Sequence, residues 1–591
     1  MVAVLDRSAL PARTALGLLG LGCVLPFLSP VFQPPVASFY GEAVAVALGL
    51  AAVALMAARS LWAGMRLPRI SLMFVGFAAL MVLQIALGKA IYGQMNLLGA
   101  LYVLWAAALA MLANRLVQVF GAATLAATLA WFLVTGSVIS ALIGLIQLFG
   151  VQTPLAPFML PQAHGRIYAN TGQPNHLASY LSLGLASAGY LWSTRRIGLV
   201  PVACICAALF AVLTISGSRA VWLYAGAFVV FSLVMGKLRP SVEFKRLLIF
   251  SFVIVGGLLV AQWAMAGLLP QRSIAVETMG ERVQSEGMSS PIRLHFWHQA
   301  WLMFSAAPVF GLGFKQFAWN NFLLTGQIPG SATDEGIIDH AHNLLFHIAA
   351  EFGVCGLVVL LGGLVCWGWH LRRARIDPPL WWMAAVLGVL GLHSMLEYPL
   401  WYAYFLGIAA MLMGAAEREA PVIDGTRSGR FALLAAVMLG VFVFVGVFQD
   451  YRVMQSLQGA ARPTDVADDG GDKRIPVLLD LQRTSLFAPF IEFAIAQRML
   501  LNQDHLKDKL VLNGRAMRFQ PSSDAVYRQA YLLAMAGDAA GMHTQWDLAV
   551  ASYPRDRAAA LAMAELLEKN GELTLAPLID YARRQESKAE K

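Results

Sequence analysis

The sequence predicts an all-α polytopic membrane protein with about 13 transmembrane helices and a C-terminal helical domain. Two observations predict this fold class. The 591 residues are 58% hydrophobic and only 13% charged, and apolar runs of about 20 residues, the length a helix needs to cross a bilayer, recur along the chain. From about residue 449 the sequence becomes charged and alanine-rich, with helical periodicity. A single soluble globule is therefore excluded.

Thirteen apolar runs are predicted to span the membrane. In chain order they cover residues 14–31, 41–58, 70–88, 94–113, 119–149, 177–193, 197–215, 220–236, 247–269, 344–369, 380–397, 402–416 and 431–448. The first run follows arginines, as a signal peptide does, but no small-x-small cleavage site closes it. We therefore keep it as a helix.

Arginine and lysine concentrate in alternate loops between these spans, and the positive-inside rule makes those loops cytoplasmic. The net charge of +9 follows from this topology, so we predict no nucleic-acid partner. The predicted location is the bacterial inner (cytoplasmic) membrane. The opposite, periplasmic face then holds residues 150–176, 216–219, 270–343 and the tail from about residue 449. We expect two domains: a transmembrane domain, 1–448, whose loop 270–343 carries the active site, and a periplasmic domain, 449–591.

One polar stretch, GIIDHAHNLLFHIAAEFGVCG (336–356), lies where the loop 270–343 meets the next span. Asp339, His340, His342 and Asn343 directly precede the apolar run, which places them at a membrane-water interface. A partly desolvated imidazole there suits proton transfer near neutral pH. Asn343 is typical of a helix N-cap, and the helix dipole at that end disfavours an imidazolium, so His342 is predicted to be a neutral base. The alternative is an ordinary polar loop rim.

A periplasmic enzyme has no supply of nucleotide sugars, so its substrate must arrive activated. A lipid-linked diphosphate meets this requirement. Binding its negative charges requires cationic side chains. Arg219, in LTISGSRAVW, lies between two spans, where a charge costs roughly 2.5–3.5 kcal/mol to insert. Arg293 opens an aromatic-rich segment of the loop, and guanidinium groups bind phosphate in bidentate fashion. The alternatives are a helix–helix polar clasp for Arg219 and a snorkelling side chain for Arg293.

These residues resemble the motifs of the O-antigen ligase and polymerase superfamily. His342 and Asn343, followed by Gly353 and Gly356, are similar to its histidine motif, and SGSR (216–219) resembles its other arginine motif. The run from Arg293 through Trp297 and Trp301 to Pro308, Gly311 and Gly313 is similar to its periplasmic loop.

Two further stretches narrow the resemblance to one branch. YANTGQPNHLASYLSLGL (168–185) and LHSMLEYPLWYAYFLG (392–407) look like bacterial protein O-oligosaccharyltransferases, the pilin-glycosylating branch. The resemblance covers most of residues 150–420 and extends in layout to the tail. Residues 1–149 carry no diagnostic motif.

The resemblance implies an inverting transfer of a preassembled glycan from undecaprenyl diphosphate to a serine or threonine hydroxyl, without a metal or other cofactor. His342 is the implied general base, and Arg219 and Arg293 stabilise the departing diphosphate. Asp339, His340 and Asn343 are implied to orient the base or the acceptor.

Two more groups of residues carry weaker implied roles. Gln173, Asn175 and His176, at the external start of a span, bind the donor or, alternatively, cap a helix. Glu397 and Tyr398 lie at an external helix end, where Glu397 positions the acceptor or pairs with an arginine.

The tail contains a repeat-like spacing. Pro521 and Pro554 are 33 residues apart, and Gly537 and Gly571 are 34 apart, which resembles tetratricopeptide helix pairs. Such repeats bind peptides or proteins, so the tail is predicted to hold an acceptor protein such as a pilin. The alternative is a helical cap that only stabilises the outer face. Residues 460–473, rich in Asp and Gly, are the predicted linker.

Rival functions remain open at this point. A metal-dependent hydrolase would use His295, His298, His340 and His342, but no carboxylate–histidine metal motif is complete. A lipid-linked glycan transporter suits the number of spans, but acidic relays within the spans are missing. A ligase acting on lipid A-core or an O-antigen polymerase differs only in its acceptor.

Overall fold

The computed structural model describes residues 9–161, 166–268, 291–327, 337–423, 426–457, 472–569 and 574–589. Within these ranges the chain forms 23 α-helices and no β-strand, which confirms the all-α prediction. In order they are α1 (Leu10–Gly22), α2 (Phe39–Ala54), α3 (Arg59–Trp62), α4 (Arg69–Ala86), α5 (Gly93–Phe120), α6 (Ala122–Phe149), α7 (Pro174–Ser193), α8 (Leu199–Ile215), α9 (Ala220–Leu238), α10 (Val242–Leu268), α11 (Pro291–Ala306), α12 (Phe317–Thr325), α13 (Leu344–Leu371), α14 (Pro378–Ser394), α15 (Ala403–Ala416), α16 (Arg427–Ser456), α17 (Arg474–Gln482), α18 (Ala488–Arg498), α19 (Leu506–Phe519), α20 (Ser523–Met535), α21 (Ala539–Ser552), α22 (Arg557–Lys569) and α23 (Ala576–Ala589).

Each of the predicted spans coincides with a helix. Among the described residues, nine helices are long and apolar enough to cross a membrane, and α8 and α15 are shorter apolar helices. The remaining two predicted spans, 177–193 and 380–397, fall on α7 and α14. The chain is therefore a polytopic membrane protein.

The described helices divide into two compact units. Unit 1 comprises Met1–Ala78, Leu101–Ser290 and Val358–Phe444, and unit 2 comprises Ala79–Ala100, Pro291–Leu357 and Val445–Lys591. Segments of the membrane half thus group with the tail. The predicted boundary at residue 448 and the periplasmic placement of the tail stay predictions.

Unit 1 is built around α7, whose residues from His176 to Leu191 are all buried. It packs against α6, α8, α9, α10 and α14. Small residues on α7 and its neighbours allow this close approach, and buried hydroxyls make local hydrogen bonds, such as Ser137 Oγ to the Tyr180 carbonyl at 3.0 Å. A helix buried on all sides places its polar residues where each must find a partner inside the protein.

Among the described residues of unit 2, α12 contributes to two apolar cores. Phe322 is fully buried in the core of the tail helices together with Trp546, Tyr527 and Ala530. Phe317, on the same helix, is buried in a second core with the α11 residue Phe296 and others.

The tail helices α20 and α21 each begin at a side-chain cap. Ser522 Oγ accepts a hydrogen bond from Ala525 N, and Asp538 Oδ1 accepts one from Gly541 N at 2.9 Å. The tetratricopeptide-like spacing stays a prediction, since Gly571 lies outside the described residues, as do residues 460–471 of the predicted linker.

Candidate active site

The predicted span 344–369 coincides with α13, but this helix is not straight. Helix α13 is broken at Gly353, whose φ of 64° and ψ of −157° are non-helical. An L-residue rarely adopts this conformation, and a Cβ at Gly353 would lie 2.5 Å from the Val309 carbonyl oxygen. Only glycine satisfies both requirements, which explains Gly353 in the histidine motif.

The loop 308–313 supplies the hydrogen bonds that the break removes. Leu312 N donates to the Ala350 carbonyl at 3.0 Å, and Gly313 N donates to the Glu351 carbonyl at 3.1 Å. Beyond the break, Val354 N donates to the Pro308 carbonyl at 2.8 Å and Cys355 N to the Val309 carbonyl at 3.1 Å. Non-helical backbone is tolerated at membrane depth only when its polar groups are satisfied in this way.

Gln84, on α4, closes the junction from the other side. Its Nε2 donates to the carbonyls of Glu351 at 2.8 Å and Phe310 at 3.0 Å, and its Oε1 accepts from Phe314 N at 3.0 Å. Lys89 Nζ donates to the Gly311 carbonyl at 3.0 Å. The C-terminal end of α4 and Lys89 after it therefore hold the broken helix and the loop in one arrangement.

His342 lies just before α13 in a left-handed backbone conformation, with φ of 49°. Its half-buried ring stacks on Phe296, with centroids 5.6 Å apart. The predicted cap is confirmed, because Asn343 Oδ1 accepts hydrogen bonds from Leu345 N at 3.0 Å and Phe346 N at 3.3 Å. A non-glycine residue with positive φ costs roughly 1–3 kcal/mol, and such residues cluster at functional sites.

Asp339 and His340 form a directly bonded pair. Asp339 Oδ1 lies 2.7 Å from His340 Nδ1, and since an ionised carboxylate only accepts hydrogen bonds, the imidazole proton is on Nδ1. Burial lowers the pKa of His340 to about 4, although the Asp339 carboxylate opposes this shift. His340 is therefore neutral at pH 7.

His347 and Glu351 extend this cluster into α13. The His347 ring stacks on that of His340, with centroids 4.9 Å apart, and its Nε2 lies 3.4 Å from Glu351 Oε2. Glu351 Oε1 accepts a hydrogen bond from Phe317 N at 3.2 Å. No role was assigned to these two residues from the sequence, and Glu351 is an acid inside a predicted span. A His–Glu pair spaced i, i+4 in an apolar run was the available signal.

Arg293 is the third residue of α11, one turn before Phe296, so the two share a helix face. Its side chain is half-buried. Arg293 therefore belongs to the same unit as His342 and to the helix whose phenylalanine the His342 ring contacts. His295 and His298 lie on this helix too, and among the described residues no group of three or more His, Cys, Asp or Glu is arranged to hold a metal ion.

A second polar cluster lies in unit 1, at the start of α7 and the end of α14. Asn175 Nδ2 donates to Glu397 Oε1 at 3.0 Å, so an amide partners this carboxylate. The His176 ring is buried against Tyr402 at 4.6 Å and Phe405 at 5.4 Å. Tyr398 stacks on Tyr402, with centroids 6.2 Å apart.

Two other predicted donor-binding residues also lie in unit 1. Gln173 occupies the N-cap position of α7, but its side chain makes no capping hydrogen bond, so the capping alternative is wrong for this residue. Arg219 occupies the N-cap position of α9, is half-buried and follows the turn that starts at Ser216.

His393 was missed from the sequence. Its Nδ1 lies 2.8 Å from Ser179 Oγ, which lies 3.0 Å from the Tyr224 hydroxyl, and its ring is 5.5 Å from that of His176. All three bonded side chains are buried. The signal was the LHSMLEYP stretch itself, in which a histidine precedes Glu397 by one helical turn.

The predicted residues thus fall into two sets. Asp339, His340, His342, Asn343 and Arg293 belong to unit 2. Those in unit 1 are Gln173, Asn175, His176, Arg219, Glu397 and Tyr398.

Comparison with known proteins agrees with these motifs. Residues 202–361 match the O-antigen ligase family, residues 381–567 match the C-terminal part of a virulence factor membrane-bound polymerase family, and residues 167–192 match a protein glycosylation ligase family. These matches support the resemblance to the O-antigen ligase superfamily that the motifs predict.

Within that superfamily, the protein glycosylation ligase match and one curated relative support the protein O-oligosaccharyltransferase type. It is 25% identical over 448 residues to the general O-oligosaccharyltransferase of Acinetobacter baylyi, covering 73% of this chain and 74% of that protein.

Proposed function

We propose that this protein transfers a preassembled glycan from undecaprenyl diphosphate to serine or threonine hydroxyls of periplasmic proteins such as pilins. The relationship to a general O-oligosaccharyltransferase supports glycan transfer to protein. The observation that carries the proposal is the placement of His342, in a left-handed conformation at the mouth of a broken helix and stacked on α11, one turn from Arg293.

The proposed step is an inverting displacement at the anomeric carbon. The acceptor oxygen forms a bond to that carbon, its proton passes to the His342 imidazole, and the bond to the diphosphate oxygen breaks. The electron pair leaves with the diphosphate, whose growing charge Arg219 and Arg293 stabilise. A general base contributes about 10²–10⁴-fold to such a step. Asp339, His340 and Asn343 position the base or the acceptor, and Gln173, Asn175, His176, Glu397 and Tyr398 bind donor or acceptor.

The test is transfer in vitro from a lipid-linked glycan to an acceptor peptide, with donor affinity measured separately. His342→Ala is expected to lower turnover by 10²-fold or more while donor binding persists, because the base acts only as the hydroxyl loses its proton. His505→Ala is the matched control, since His505 is an exposed histidine in the tail. Turnover by His342→Ala at the wild-type rate would disprove the base assignment.

The matches to an O-antigen ligase family and to a membrane-bound polymerase family favour one second candidate, in which the acceptor is lipid A-core or a growing glycan. The chemistry at the donor is the same. Parallel assays with an acceptor protein, lipid A-core and a lipid-linked glycan separate the candidates. Glycan transfer to lipid A-core alone, or to the lipid-linked glycan alone, would show that the acceptor is not a protein. If glycan crosses a bilayer without any transfer, the protein is a transporter.

A further inference from the structure

A polar cavity of about 540 Å³ lies in unit 1, at the end of the bundle where α14 begins. It is formed by the start of α4, the end of α9, the end of α13 and the residues that follow α15. Helix α14 has 17 residues, so the cavity lies about 25 Å along this helix from His393 and Glu397. It is therefore distinct from the second polar cluster.

The lining is strongly basic. Its arginines outnumber its two acids, Glu417 and Glu419, and they are Arg69, Arg239, Arg373, Arg375 and Arg418. Two of the five are paired: Arg69 NH1 donates to buried Glu417 Oε1 at 2.7 Å, and Arg418 forms two bonds to Asp377 at 2.7 and 2.8 Å. Arg239, Arg373 and Arg375 are exposed at the cavity lining, so their guanidinium groups are accessible to a ligand. They point to an anionic ligand.

The wall that carries the paired arginines is held rigidly. Arg66 NH1 donates to the Arg418 carbonyl at 2.7 Å, and Asn114 Nδ2 donates to the Glu417 carbonyl at 2.6 Å. Backbone hydrogen bonds then join residues 65–67 to residues 421–423: Leu67 N to the Pro421 carbonyl at 2.9 Å and Ile423 N to the Met65 carbonyl at 2.9 Å. Arginines that only set topology need no such fixed surroundings, whereas a binding site gains affinity from them.

We propose that this cavity binds the phosphate of an anionic lipid headgroup. Guanidinium groups match phosphate oxygens in geometry and charge. Leu238, Leu371 and Ile376 also line the cavity, at the ends of helices, so a ligand with an acyl chain finds both polar and apolar contacts there. The volume lies within the range of about 300–1,000 Å³ typical of small-molecule sites. In the predicted topology this end faces the cytoplasm, where anionic lipids attract clustered basic residues.

The test uses the full-length protein in uncharged detergent, titrated with a fluorescent short-chain phosphatidylglycerol. The variant Arg239→Ala/Arg373→Ala/Arg375→Ala is expected to weaken binding by about tenfold or more, because charged hydrogen bonds to the phosphate are lost. The control Arg13→Ala/Lys245→Ala/Arg427→Ala removes the same number of positive charges from exposed positions that do not line the cavity. It is expected to bind like the wild type.

Two further arms identify the source of the phosphate and check the fold. Inorganic phosphate and short-chain phosphatidylcholine are expected to bind at least tenfold more weakly than phosphatidylglycerol. Equal binding by inorganic phosphate would overturn the lipid assignment in favour of a free phosphate, and equal binding by both triple variants would overturn the site. Thermal unfolding shows whether the cavity variant is folded, and if it is not, Arg373→Glu alone serves as a second variant with the same expected loss.

Discussion

The two polar clusters of this protein are built differently. In unit 2, the histidine cluster depends on unusual backbone, with a left-handed His342 and a helix broken at Gly353. In unit 1, Asn175, His176 and His393 lie on unbroken helices, where Asn175 and His393 make side-chain hydrogen bonds and the His176 ring packs against that of His393.

This difference supports the proposal that the histidine cluster performs the chemistry. Strained backbone costs free energy and persists where the surrounding structure enforces it, often at functional sites. The hydrogen bonds of loop 308–313 and of Gln84 enforce it around α13. A cluster on regular helices needs no such support, which suits a role in binding. The predictions that follow test this contrast, from the largest expected effect to the smallest.

The largest effect is expected from Gly353→Ala. A Cβ would collide with the carbonyls of Pro308 and Val309, and alanine disfavours a φ of 64°, so the broken helix and loop 308–313 must separate. We expect activity to fall by more than 100-fold and the melting temperature to drop.

Gly362→Ala is the matched control on the same helix. No atom lies within 4 Å of its added Cβ, so it should be neutral or slightly stabilising, by up to about 1 kcal/mol. If Gly353→Ala behaved like Gly362→Ala, the strained backbone would not matter for function.

Lysine substitution of the arginines separates bidentate phosphate binding from simple charge. Arg219→Lys and Arg293→Lys keep the positive charge but lose the planar fork, and a lost charged bond of roughly 1.5–3 kcal/mol predicts a fall in kcat/KM of about 10- to 150-fold. The measurement is transfer from lipid-linked glycan, with donor affinity determined separately. If the lysine variants had near-normal rates and the alanine variants were inactive, the arginines would act as point charges. If the alanine variants were active, the arginines would have only a structural role.

A smaller effect is expected in the pH dependence of stability. The folded-state pKa of His340 is about 4, below its unfolded value of about 6.5, so the unfolded chain binds more protons between these pH values. The stability that neutral His340 contributes is present above pH 6.5 and is lost as pH falls towards 4, by up to roughly 3 kcal/mol.

His340→Asn should flatten this part of the curve, measured as the melting temperature between pH 7 and pH 4.5. A variant whose curve runs parallel to that of the wild type would show that His340 is not buried in its neutral form.

The smallest effect is expected from metal removal. The proposed diphosphate mechanism requires no metal, so EDTA should leave transfer unchanged. Loss of activity with EDTA and its recovery with zinc would revive the hydrolase alternative based on His295, His298, His340 and His342.

Much of the fold was predictable, because the length of an apolar run directly predicts a membrane-spanning helix. Each predicted span coincides with a helix, and the cap at Asn343 was visible from its residue type. The break at Gly353 was not predictable, because its cause is the loop 308–313, distant in sequence, and the apolar run continues through it. Hydropathy measures composition and carries no information on which carbonyls are satisfied.

The candidate sites were predictable in part for a similar reason. His342 and Arg293 were identified through motifs, whereas the His347–Glu351 pair and His393 were not, because a few polar residues inside apolar runs give only a weak signal. The basic cavity was not predicted for a different reason: the positive-inside rule already accounted for the arginines that line it.

Helix α12 has a consequence for the evolution and engineering of this protein. Its Phe322 completes the hydrophobic core of the tail, while its Phe317 belongs to the core beside His342 and donates its amide to Glu351. In a chimera joined at residue 448, the tail of a relative would have to pack against an α12 from this protein, with which it did not evolve. Functional exchange of tails between relatives therefore requires α12 to be exchanged together with the tail. Any partner preference of the tail is then inherited with part of the loop proposed to carry the active site.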